Sequence, residues 1–174
     1  MPRYQQLNEA QLDDAQRRVW NACKAGPRGS VPPPVHIWLK SPGLADHAHQ
    51  LGAHVRFGTG FSQKLTEIAI LVTARYWTAQ FEWAAHVRLA LNAGVAQDVI
   101  DAIAERKAPQ FTDPDEQLVY DFCRDYYDDH RVDDATYEQG AVDLTGLIGY
   151  YSFVSMTLNV FEVPTPPGAK LLEK

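Results

Sequence analysis

Apolar residues recur along the chain at helical spacing, in blocks set apart by proline, glycine and capping side chains. Asn8 is positioned to cap a helix from about Glu9 to Lys24, which Gly26-Pro27 would end. Three prolines in a row, Pro32 to Pro34, follow within Gly29–Val35. A run without N–H donors predicts an extended connector there. Ser41-Pro42-Gly43 opens a helix to about Arg56, stopping near Gly58 and Gly60. Ser62 opens the next, Gln63 to about Trp77, and Thr78 another, Ala79 to Ala93, with Gly94 as its terminal glycine. Gln97–Arg106 reads as a shorter helix closed by Pro109. Thr112-Asp113-Pro114-Asp115-Glu116 sets acids where they complement the helix dipole, in a helix reaching about Asp129. Asp133 or Asp134 starts a short helix, and Leu144 to about Val160 is the last, ended by Pro164, Pro166 and Pro167. No stretch alternates as a half-buried strand does. The expectation is an all-α chain, one compact helical domain over residues 1–174, without internal repeats. The last helix is apolar round most of its circumference, so it needs burial on several sides, in a core or at a subunit interface.

Composition narrows the classes of partner. At 45% hydrophobic and 22% charged, the chain is ordinary globular protein rather than disordered or collagen-like. Its 174 residues suffice for a proper core without disulfide or metal staples. Sixteen basic against 22 acidic residues leave a net charge of −6, which provides no field to draw nucleic acid or an anionic membrane. Cys23 and Cys123 are far apart and form no CxxC and no zinc knuckle. The polar first residues do not read as a signal peptide, and no run reaches the roughly 18 apolar residues of a membrane span. The cytoplasm is the default expectation.

The chemistry concentrates between Ser62 and Gly94. Wound at roughly 100° per residue, Ala79–Ala93 puts Ala79, Glu82, Trp83, His86, Leu89, Ala90 and Ala93 on one stripe, and Arg88 and Asn92 on another. A carboxylate and an imidazole spaced i, i+4 thus share a face with small and apolar residues. On such a face an ionisable pair must be partnered or must line a cavity. On the preceding helix Glu67 shares its stripe with Leu71, Ala74 and Thr78, with Lys64 and Arg75 nearby. A tight link at Trp77-Thr78 predicts antiparallel packing that brings Glu67 toward Glu82 and His86. The competing reading is an ordinary surface pair, with Glu67 and Lys64 in a solvated salt bridge. Glu82-x-x-x-His86 does not have the Glu-x-x-His spacing of helical di-iron sites, and the two rings of His47-Ala48-His49 point to different faces, so no metal is expected. No GxGxxG, GxxxxGK[ST] or GxSxG occurs, so nucleotide binding and elbow-serine hydrolysis have no motif support.

Leu65-Thr66-Glu67-Ile68-Ala69-Ile70-Leu71-Val72-Thr73-Ala74-Arg75, followed by Phe81-Glu82-Trp83-Ala84-Ala85-His86 and Ala93-Gly94-Val95, resembles the carboxymuconolactone decarboxylase family, which includes the alkylhydroperoxidase D-like proteins. The resemblance runs outward through Trp38–Ala45 and Val55–Gly58, and on to Gly149-Tyr150-Tyr151 and Phe161-Glu162-Val163-Pro164, a family-like core of about 36–164. It implies the alkylhydroperoxidase D-like helical fold and a homo-oligomer, whether dimer, trimer or hexamer. The redox branch of the family carries a Glu, a CxxC and a His. Here Glu67 and His86 match the outer two, but the cysteine positions fall on Ala79 and Glu82. Peroxide reduction through a dithiol needs both sulfurs, so the thiol-peroxidase reading is disfavoured. The non-redox branch implies a cofactor-free lyase of aromatic catabolism, acting by decarboxylation or isomerisation on a small carboxylated lactone or keto acid.

In that reading Glu67, Glu82 and His86 are the catalytic candidates. His86 is the natural acid, because an imidazole titrates near neutrality. Glu82 orients it or shuttles the proton, and Glu67 tunes its pKa. Arg75 and Arg56 are candidates to bind a substrate carboxylate, as is Lys64. Trp83 and Tyr151 are candidates to wall the pocket, although aromatics on apolar helix faces are more often core. No cofactor is expected. The alternative is a non-catalytic, ligand-binding helical oligomer that kept the fold.

Overall fold

A computed structural model of the protein describes residues 3–132 and 140–173. All regular structure among these residues is helical: a 3-10 turn (Glu9–Gln11) and helices α1 (Asp14–Ala25), α2 (Pro33–Trp38), α3 (Pro42–Phe57), α4 (Gln63–Tyr76), α5 (Gln80–Asn92), α6 (Gln97–Ala104), α7 (Pro114–Asp129) and α8 (Ala141–Val160). The helix expected at Asp133 or Asp134 lies outside the described residues. No described helix is long and apolar enough to cross a membrane.

Two expected elements differ, each for a local reason. Asn8 does cap, accepting from the Ala10 N–H at 3.0 Å, but it starts only a single 3-10 turn. The α-helix begins five residues later, at a full capping box. Asp13 Oδ1 accepts from the Gln16 N–H at 2.8 Å, and Gln16 Oε1 accepts from the Asp13 N–H at 3.1 Å. The proline run is not extended throughout. Pro33 and Pro34 occupy the first turn of α2, where a missing N–H costs nothing because that donor has no intrahelical partner.

Helix α4 is the centre of the fold. Ile68 to Leu71 and Ala74 are all buried, so apolar side chains leave it in every direction, and it packs against α5, α7 and α8. Helix α8 answers the expectation of burial on several sides within this chain. It packs against α4 and α3, with α2 and α5 beside it, and leaves Val142, Met156 and Val160 exposed.

The α4–α5 link sets the site. Thr78 takes a left-handed backbone (φ 47°), a conformation that costs a β-branched residue about 1–3 kcal/mol. The turn is held from several sides. The Thr78 N–H donates to Arg75 O (3.1 Å) and the Ala79 N–H to Ala74 O (2.8 Å), satisfying the last carbonyls of α4. Arg75 Nη1 donates to Thr78 Oγ1 (3.2 Å) and its Nε to Ala104 O (2.8 Å). Asn159 of α8 donates to Trp77 O at 2.9 Å.

A second close approach is at Gly52 of α3. A Cβ there would sit 2.2 Å from Tyr150 Cζ and Oη. Tyr150 is buried edge-on to both Trp38 and Tyr151, so its ring has little room to give. Gly52→Ala is expected to destabilise the fold by about 1–3 kcal/mol, the cost of overpacking, read as a lowered midpoint in thermal or urea unfolding.

Candidate active site

Four side chains from three helices form one unbroken polar chain. Arg56, in the last turn of α3, donates from Nη2 to Glu67 Oε1 of α4 at 2.9 Å. Glu67 Oε2 lies 2.6 Å from His86 Nδ1, and His86 Nε2 lies 3.0 Å from Glu82 Oε1, both on α5. Both oxygens of Glu67 and both ring nitrogens of His86 are therefore engaged. The i, i+4 spacing on α5 stacks Glu82 over His86, and the tight Thr78 turn lays α5 back along α4 so that Glu67 meets the imidazole. The surface-pair reading does not hold: Glu67 is 1% exposed and His86 5%. Lys64 pairs with Glu116 of α7 instead of Glu67.

The charges alternate along the chain, which is what allows them to be buried together. Burial by itself pushes the His86 pKa down. The Glu82 charge and the hydrogen bonds to Glu67 and Glu82 outweigh it, so the value is raised above the ordinary imidazole range. An imidazolium with a carboxylate at each nitrogen donates at both ends. Tyr151 packs edge-on to His86, ring centroids 5.3 Å apart. Burial pushes its phenol pKa up, so it stays a proton-bearing donor. Its hydroxyl and Arg56 Nε are both buried without a hydrogen-bond partner among the described residues.

A cavity of about 360 Å³ opens on this chain. Arg56, Glu82, His86 and Tyr151 line it, joined by Arg28, Tyr150 and the proline run. Glu82 presents the freer carboxylate, since only its Oε1 bonds to a described residue. Glu67 is not on the cavity wall; it stands behind His86.

Two expected pocket residues lie elsewhere. Arg75 is committed to the α4–α5 turn and borders a different hollow, with Tyr76, Arg106 and Tyr127. Trp83 is buried but turned the other way round α5, beside Val87, Leu91, Ile100 and Leu172. Neither reaches the chain of charges. Conversely, Arg28, Tyr150 and Pro32–Pro34 border the cavity, although the sequence marked none of them as pocket residues. Both cysteines are free and buried outside the cavity. Burial pushes the Cys23 thiol up to about 11 and Cys123 further still.

Residues 42–120 match the Carboxymuconolactone decarboxylase family. This segment, from α3 to the first half of α7, carries Arg56, Glu67, Glu82 and His86. The all-helical architecture is consistent with the alkylhydroperoxidase D-like fold. No curated protein matches the chain. Arg28, Tyr150 and Tyr151 lie outside the matched segment.

The raised His86 pKa gives a definite sign to the pH dependence. Its contribution to stability is complete below the unfolded value of about 6.5 and is lost as pH rises through the folded value. NMR titration of the His86 ring should give a pKa above that reference, and Glu67→Gln should lower it. Glu67→Ala leaves Arg56 buried without its carboxylate, and should cost about 3–5 kcal/mol in chemical unfolding.

Proposed function

From the match of residues 42–120 to the carboxymuconolactone decarboxylase family, we propose a cofactor-independent carbon–carbon lyase that moves a proton on a small carboxylated lactone or keto acid. The observation that carries this reading is the buried Arg56–Glu67–His86–Glu82 chain ending at a cavity. A structural ion-pair network has no need to finish on a carboxylate facing open space. One built to pass a proton does.

The chemistry follows from the groups in reach. When the substrate carboxylate leaves as CO2, the electrons of the broken C–C bond flow into the conjugated carbonyl. A donor at that oxygen lowers the barrier, and the Tyr151 hydroxyl, without a partner among the described residues, is the donor at hand. As the enolate forms, His86 passes its Nε2 proton to Glu82, and the Glu82 carboxyl so formed delivers a proton to carbon. Solvent entering by the cavity returns one proton to the Glu82–His86 pair, so substrate anion plus one proton gives product and CO2. Both nitrogens of His86 are occupied, so His86 acts through Glu82 rather than on the substrate. Glu67 and Arg56 are positioning residues that hold the imidazole and keep it charged. The same set supports isomerisation, in which the proton taken from one carbon returns to another.

Thiol-dependent peroxide reduction is disfavoured by two buried, high-pKa thiols, neither of which lines the cavity. The exposed Leu44, Leu51 and Phe57 of α3 support the homo-oligomer that the family resemblance implies.

The test is CO2 release from carboxymuconolactone and, across a panel of lactone and keto acids, uptake of solvent deuterium at carbon. Glu82→Gln and His86→Gln should each lower kcat by about 10²–10⁴-fold with the fold intact by circular dichroism. Iodoacetamide should leave turnover unchanged. Full kcat in both variants would sink the reading.

A further inference from the structure

The cavity carries more positive charge than the proton chain uses. Arg56 is neutralised by Glu67. Arg28, in the connector between α1 and α2, also borders the cavity, and it forms no ion pair with any described residue. It is half-buried rather than free in solvent. Its Nη2 donates to the Gly52 carbonyl at 3.1 Å, and its guanidinium lies 5.9 Å from the centre of the Phe57 ring. Arg56 lies 5.0 Å from the same ring, so two guanidinium groups flank one aromatic. The Arg28 charge also reaches the tyrosine wall, working against the burial that raises both Tyr150 and Tyr151.

A guanidinium fixed at one corner, with its remaining N–H donors unengaged by described residues, is preorganised for a planar two-oxygen anion. The third arginine at the cavity, Arg88, is exposed and borders the Trp83 hollow as well, so it lacks this fixation.

We propose that Arg28 is the carboxylate anchor of this cavity, recognising a carboxylate of the ligand that does not leave, and so determines specificity for acids over neutral lactones. The inference rests on the proposed function only in distinguishing a carboxylate that stays from one that leaves. As a binding statement it stands alone.

The test measures binding without turnover. Titration calorimetry compares 5-oxotetrahydrofuran-3-carboxylate, a stable lactone acid, with neutral γ-butyrolactone. The wild-type protein should bind the acid more tightly. Arg28→Gln should weaken the acid by about 10–100-fold, the loss of a charge-assisted contact, and leave the neutral lactone unchanged. Arg28→Lys should recover part of the loss, and Arg88→Gln should change acid binding less than about threefold, as expected of an exposed charge. An unchanged unfolding midpoint in Arg28→Gln shows that the connector is intact. Equal affinity for acid and neutral lactone in the wild type overturns the proposal, as does acid binding that is unaltered in Arg28→Gln. Arg28-dependent binding without turnover of any acid would instead sink the lyase reading and leave this one standing. Turnover whose KM ignores Arg28→Gln would do the reverse.

Discussion

One buried carboxylate organises the molecule. Glu67 sits in the middle of α4, the helix with apolar neighbours on every side, and such a charge is tolerated only if both its oxygens are met. Arg56 meets one and His86 the other, which ties α3 and α5 to α4 at a single point. Replacing all members by well-packed apolar side chains would not in general weaken a fold. The network is therefore better understood as holding a particular imidazole in a particular state than as a source of stability.

That distinction sorts the residues by what they touch. Arg56, Glu82, His86 and Tyr151 border space that a ligand can fill, whereas Glu67 reaches it only through its neighbours Arg56 and His86. The cavity thus has a graded character. Its buried end carries a proton-bearing phenol and a carboxylate backed by a charged imidazole. Its half-buried side carries a guanidinium without a carboxylate partner among the described residues.

Much of this was legible along the chain. Caps and prolines located α3, α4, α5 and α7 to within a few residues, because those signals act on adjacent backbone groups. The convergence of Glu67, Glu82 and His86 followed from two helical stripes and one short link. What failed was anything that depends on which neighbour covers a face. Arg75 is eight residues beyond Glu67, about 12 Å along the helix axis, too far to share its surroundings. Trp83 is one residue from Glu82 and therefore about 100° round the helix, enough to turn it to a different hollow. Arg28 lies in a connector with no periodicity to read, and only the folding of that connector against α3 brings it to Gly52. Asp13 shows the complementary limit: two capping signals five residues apart competed, and the reciprocal one began the α-helix.

The left-handed Thr78 makes the spacing of the two carboxylates a matter of helical phase. From Glu67 to His86 the chain passes through a turn with no slack, so lengthening that turn by a single residue would swing every side chain of α5 by about 100°. Glu82 and His86 would then face another layer of the bundle, and Glu67 would be left stranded. Lineages of this architecture that vary in length should do so in the outer connectors and keep this corner at constant length, whatever residue occupies position 78.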